Sequence, residues 1–111
     1  MSAVTTHVLD TARGRPAAGV DVVLERLGSE VDAVGAGRTD EDGRVDGLGP
    51  DRLEMGDYRL RFATAAYFAN LGQTALYPEV VIVFTLHEPD QHYHLPLLLG
   101  GPFSFSTYRG S

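Results

Sequence analysis

His92 and His94 stand one residue apart near the end of a 111-residue chain. In an extended strand that spacing puts both imidazoles on one face with Pro96, while Tyr93 and Leu95 take the other. Imidazole titrates near neutrality, so such a pair suits general acid–base work on water. It also suits metal: together with His7 the pair makes a three-histidine set of the kind that holds zinc. No carboxylates at matching spacing stand ready to orient the rings of such a site. Taken singly, His7 reads as a surface or satisfied core residue, and His87, beside Glu88 and Asp90 in a loop, as structural. Ser104 and Ser106 are strand residues without a nucleophile-elbow motif. Arg44 directly follows the turn Asp40-Glu41-Asp42-Gly43 and is by pattern an ordinary turn-flanking charge. Tyr67, Phe68 and Tyr77 read as core or interface aromatics.

The elements that must carry these residues are short strands. Val4 to Asp10 alternates, with Val4, Thr6 and Val8 on one face and Thr5, His7 and Leu9 on the other, until Arg13-Gly14-Arg15-Pro16 breaks the run. Val20 to Leu27 alternates again. Val31 to Thr39 is a weaker strand, diluted by Gly35 and Gly37. The Asp-Gly of residues 42–43 supplies the positive φ of a tight turn. Tyr58 to Phe62 has an apolar residue at every second place. Thr64 to Leu71 breaks the pattern: Thr64 can cap a helix, Phe68 and Leu71 share helical spacing, and Gly72 stands where a terminating glycine belongs. Val80 to Leu86 is nearly all apolar and β-branched, which predicts a strand buried on both faces. The last twenty residues read as a hairpin. One run carries the histidines, Gly100-Gly101-Pro102 turns, and the final run sets Ser104, Ser106 and Tyr108 on one face. About eight strands and one short helix predict an all-β sandwich.

Size and composition narrow the partners. The chain has room for a single domain, residues 1–111, with one core that oligomerisation would help. Hydrophobic residues make up 43% of it, which argues against disorder, and no apolar run approaches a membrane span. A net charge of −6 with no Lys/Arg cluster argues against nucleic acid. The absence of cysteine excludes disulfides, thiolate catalysis and zinc–thiolate sites. Residues 1–6 lack the basic and apolar regions of a secretory signal, so the expected location is cytoplasmic.

Three blocks carry a resemblance. His7-Val8-Leu9-Asp10 with Gly14-x-Pro16, Thr39-Asp40-x-Asp42-Gly43-Arg44, and His92-Tyr93-His94-x-Pro96-Leu97-Leu98 with the terminal Ser106-Thr107-Tyr108-Arg109-Gly110-Ser111 together resemble the transthyretin-related 5-hydroxyisourate hydrolases of purine degradation. The Tyr-Arg-Gly-Ser ending is the family's identifying tail. The chain departs from the family at its last turn, Leu99-Gly100-Gly101-Pro102-Phe103, which is one residue longer.

The resemblance implies a transthyretin-like sandwich that hydrolyses 5-hydroxyisourate to 2-oxo-4-hydroxy-4-carboxy-5-ureidoimidazoline, with no cofactor and no metal. It implies a homotetramer whose dimer–dimer contact makes the channel holding the active sites. His7, Arg44 and His94 are implied as the catalytic set, with His92, Tyr108 and Ser111 closing the substrate site. Opening the ring needs a group to deprotonate water, a donor to the developing oxyanion and a proton for the departing nitrogen. His94 paired with His7 fits the water, and the planar guanidinium of Arg44 fits a two-point clamp on the substrate's carbonyl and imide edge. Two other classes compete. A transthyretin-like carrier would bind a ligand in the same channel without turnover, but the carriers have other residues where His7, Arg44 and His94 stand. A small interaction module would leave the clustered histidines without a purpose.

Overall fold

The computed structural model describes residues 2–110. Their strands are β1 (Val4–Thr5), β2 (Val8–Asp10), β3 (Arg15–Pro16), β4 (Asp21–Leu27), β5 (Val31–Arg38), β6 (Gly56–Phe62), β7 (Val80–Leu86), β8 (Tyr93–His94), β9 (Leu97–Leu99) and β10 (Phe105–Thr107), with helix α1 (Thr64–Asn70) between β6 and β7. One sheet runs β10-β9-β2-β3 and the other β5-β4-β6-β7, while β1 and β8 form a parallel pair. The expected sandwich is there. Its strands outnumber the sequence estimate because the first run is split at Thr6 and His7 into β1 and β2, Pro96 separates β8 from β9, and Arg15–Pro16, read from sequence as a break, pairs back on β2 as β3. Proline carries no N–H for a ladder. No helix is long and apolar enough to cross a membrane.

The core fills the space between the sheets. Val22, Leu24, Tyr58, Leu60 and Phe62 enter from one side and Val8, Leu97 and Leu99 from the other, each at most 1% exposed. These are the alternate positions of their strands, as the period of two requires. Beneath them Tyr67 of α1 donates its hydroxyl to the carboxylate of Asp10, which is 1% exposed, across 2.6 Å. Burial raises the Tyr67 phenol, so it holds its proton and remains a donor.

Three expectations change on folding. Thr64 is not the helix cap: Ala63 occupies that place without a side-chain bond, and Thr64 is the first helical residue with its side chain buried. The reason lies in the sheet, where the Ala63 N–H still donates to the Asp21 carbonyl at 2.9 Å, so the helix cannot begin earlier. The strand β7 is not buried on both faces, since Val81 and Val83 are 39% and 62% exposed while Val80, Ile82 and Leu86 are buried. It is an edge strand, and β-branching marked its backbone preference rather than its burial. Gly35 and Gly37 are not mere dilution of β5. A Cβ at Gly35 would lie 1.6 Å from the Leu48 carbonyl oxygen, and one at Gly37 would lie 2.3 Å from Val45 Cγ1. Their bareness lets the segment after Arg44 lie flat against β5.

Candidate active site

Four stretches of backbone lie side by side at one end of the sandwich. β1 and β8 pair in parallel with Thr5 opposite His94, and β2 and β9 continue the same register with Val8 opposite Leu97. Isolated bridges then join His7 to Arg44 on one flank and His94 to Gly110 on the other. The tail runs antiparallel, Thr107 opposite Leu97 and Gly110 opposite His94, so Tyr108 falls opposite Pro96. Arg44, His7, Pro96 and Tyr108 therefore make one row, and Thr5, His94 and Gly110 the next. Between Thr5 and His7, Thr6 faces inward at 2% exposure and donates to the Leu95 carbonyl at 2.7 Å. The candidate residues of these strands take the outer face by default of the alternation.

The turn before Arg44 is held from within. The Asp40 carboxylate accepts the backbone N–H groups of Asp42, at 2.9 Å, and Arg44, at 3.0 Å. Gly43 has φ +78, and its carbonyl accepts the Val8 N–H at 2.7 Å, which draws the turn onto β2. The approach leaves no room for a side chain: a Cβ on Gly43 would lie 2.3 Å from the Val8 carbonyl oxygen and 3.3 Å from His7 Cδ2. The turn also fixes a tautomer. His7 Nε2 lies 2.6 Å from the Asp42 carbonyl oxygen, and a carbonyl can only accept, so Nε2 carries the proton and a neutral His7 keeps its lone pair on Nδ1.

His92 and His94 share a face, as their spacing predicted, and one hydroxyl shows it. Thr5 Oγ1 lies 2.7 Å from His92 Nε2 and 2.8 Å from His94 Nδ1. Burial holds the His94 imidazole below its ordinary pKa, and the positive charges of Arg44 and of protonated His92 and His7 push the same way. At neutral pH it is an uncharged base. Gly110 lies against this ring: a Cβ there would come within 2.8 Å of His94 Cδ2. The Gly110 N–H donates to the His94 carbonyl at 2.7 Å, and Arg109 anchors the tail with its guanidinium 4.2 Å from the centre of the Tyr93 ring and bonded to Gln91 Oε1 at 2.9 Å.

The structure thus brings His7, Arg44, His92 and His94 to one face, and Tyr108 to the row of His7 and Arg44. Tyr108 is 55% exposed. Ser111 lies outside the described residues. His87 falls in the exposed loop after β7. Among the described residues no group of three histidine or carboxylate side chains is placed to hold a metal ion. The longer turn is absorbed in a loop closed by the Gly100 N–H on the Ser104 carbonyl at 2.9 Å, and it leaves the β9–β10 register regular. Sequence reasoning passed over Thr5 and the Asp42 carbonyl. Thr5 was within reach of the argument, since it alternates onto the face of His7.

Comparison with known proteins puts names beside this geometry. Residues 4–110 match the HIUase/Transthyretin family. A 5-hydroxyisourate hydrolase of Caulobacter vibrioides is 45% identical over 116 residues, covering the whole of both chains. The solved structure of Klebsiella pneumoniae 5-hydroxyisourate hydrolase superposes with a TM-score of 0.88 at 38% identity, again over the whole of both. Transthyretin from Sparus aurata superposes with a TM-score of 0.91 at 30% identity, over 99% of this chain and 97% of that one. The backbone is common to the hydrolase and to transthyretin, so the side chains must separate them.

Proposed function

The chain belongs to the HIUase/Transthyretin family, and from that premise we propose that it is a hydrolase that opens the ring of 5-hydroxyisourate in urate degradation. The observation that carries this reading is the half-buried imidazole of His94, kept neutral by burial and by Arg44, on the same face as His7 and Arg44. Water meets His94 as the base, with His7 beside it, and the nucleophile adds to the carbonyl carbon of the C–N bond to be cut. The Arg44 guanidinium clamps the substrate's carbonyl and imide edge and stabilises the charge that develops on oxygen. The proton gained by histidine is then given to the departing nitrogen. The product is 2-oxo-4-hydroxy-4-carboxy-5-ureidoimidazoline. Tyr108 closes the pocket from the tail. Carriers of the same fold share the backbone, so the distinguishing result is turnover. Freshly generated 5-hydroxyisourate should lose its ultraviolet absorbance faster with the protein than by spontaneous decay. A trace identical to the control, with the protein folded, would leave the carrier reading.

The working form in this proposal is a homotetramer. A single outer face is shallow, and a small polar substrate needs a second wall to exclude water and strengthen the field of Arg44. The exposed apolar residues of the edge strands, Val81 and Val83 on β7 and Phe105 on β10, support association. Light scattering at assay concentration tests this. A fully active monomer would refute a shared channel.

A further inference from the structure

We propose that Thr5 is a positioning residue that relays a proton between His94 and His92, so that His94 serves first as base and then as acid within one turnover. This rests on the hydrolase reading. One hydroxyl faces two ring nitrogens, His92 Nε2 at 2.7 Å and His94 Nδ1 at 2.8 Å. A hydroxyl has a single proton, so it can donate to one ring only and accepts an N–H from at least one; the relay uses the arrangements in which it does both. Two neutral arrangements meet that condition. In the first, His94 Nδ1–H donates to Thr5, Thr5 donates to His92 Nε2, and the lone pair of His94 is on Nε2, free to take a proton from water. In the second every bond is reversed, and His94 presents an N–H at Nε2, ready to give. Thr5 makes the tautomer of one histidine a function of the other.

The relay turns the hydrogen bonds of the first arrangement into those of the second, with the proton taken from water left as an extra charge on His92. When His94 Nε2 takes a proton from water, the ring becomes an imidazolium in a half-buried place, beside Arg44. Its Nδ1 proton passes to Thr5 Oγ1, and the Thr5 hydroxyl proton passes to His92 Nε2. His94 is then neutral again and holds at Nε2 the proton that the departing nitrogen needs. The positive charge has moved to His92, which is exposed. As His94 gives that proton up, His92 Nε2–H returns its own through Thr5 Oγ1 to His94 Nδ1, so no imidazolate forms and both rings end neutral in the first arrangement. No proton is gained or lost in the relay, and no other reactant enters. Charge on His92 is better tolerated there. Beside it opens a cavity of about 260 Å³ lined by Asp51, Arg52 and Asp90 among others, and Arg109 donates to the His92 carbonyl at 3.3 Å. The groups that bear on the pair are thus Arg44, His7, Arg52 and Arg109 against protonation, with Asp51 and Asp90, the latter paired with Arg52, for it.

The test uses Thr5→Val, which keeps the shape and removes the hydroxyl, and Thr5→Ser, which keeps the hydroxyl. Thr5→Val should lower kcat on the order of 10–100-fold with KM little changed, the scale of a proton-transfer step, and Thr5→Ser should recover most of it. His92→Asn acts on the same relay, so combining it with Thr5→Val should slow the enzyme no further. Nitrogen-15 NMR reads the coupling without turnover: in the native protein at neutral pH one of the two facing nitrogens is protonated and the other bare. In Thr5→Val the two facing nitrogens should lose that complementarity, leaving only the through-space effect of the His92 charge on His94. Wild-type kcat in Thr5→Val, or a serine variant no better than the valine one, would overturn the relay. So would native spectra with both facing nitrogens protonated in the neutral rings. An inactive native protein would instead remove the hydrolase reading, while the NMR measurement still decides the coupling.

Discussion

Gly43→Ala tests whether the turn that carries Arg44 is held by close approach as well as by its backbone angle. Two costs add. A φ of +78 costs an alanine about 1–2 kcal/mol. The new Cβ would also lie 2.3 Å from the Val8 carbonyl oxygen, a backbone atom of a core strand, with Pro16 Cβ at 3.2 Å. Relieving that contact means moving the turn off β2, an overpacking cost of about 1–3 kcal/mol, and losing the 2.7 Å bond from Val8 N–H to the Gly43 carbonyl. The total is about 2–5 kcal/mol, which for a slope of ~1.5 kcal/mol/M lowers the urea midpoint by about 1–3 M. Gly47→Ala is the matched control, because Gly47 has φ +69 with nothing within 4 Å of the added Cβ. It should pay the angle alone, about 1–2 kcal/mol. Gly43→Asn separates the two costs again, since asparagine tolerates the angle but keeps the Cβ. It should remain well below native stability. All variants are compared at equal subunit concentration, because association adds to the stability of an oligomer. Activity should fall further than stability in Gly43→Ala: a shift of about 1 Å at His7 and Arg44 can cost ~100-fold. If Gly43→Ala unfolds at the same urea concentration as Gly47→Ala and stays fully active, the reasoning about the turn is wrong.

Three further outcomes are expected. Arg44→Lys should lose about 1.5–3 kcal/mol of transition-state stabilisation in kcat/KM while circular dichroism stays native, because lysine keeps the charge without the planar two-point clamp. His94 is neutral in the fold to a lower pH than an ordinary histidine, so the acid limb of kcat/KM should lie below about 6.5, and Arg44→Gln should move the midpoint of residual activity upward without reaching that value, since burial is the larger cause. The same lowered pKa means the unfolded chain binds more protons, so His94 costs stability as pH falls below the ordinary histidine range, which acid titration of the unfolding free energy will show. Tyr67→Phe removes the hydroxyl bonded at 2.6 Å to buried Asp10 and should cost about 1.5–3 kcal/mol in urea unfolding, with kcat unchanged.

Much of this protein is local, and local features can be read from the chain. The period of two from Val4 to Asp10 put Thr5 and His7 outside and Thr6 and Val8 inside, and the structure keeps that division. The single intervening residue put His92 and His94 on one face, and Asp-Gly marked the turn before Arg44. The proposed roles of His7 and Arg44 come from likeness to a family and not from pattern, because a lone histidine and a turn arginine have no distinctive local signal. Folding decided what no local pattern encodes. Strands at opposite ends of the chain pair in parallel, Thr5 with His94, and alternation says which face a residue takes but never which strand lies beside it. Thr5 therefore meets histidines 87 and 89 residues away. The same holds for the Asp42 carbonyl that sets the His7 tautomer, for the bare glycines of β5, and for the open face of β7. Each depends on what the sandwich brings alongside, and that is set by burying the whole core at once rather than by any one segment.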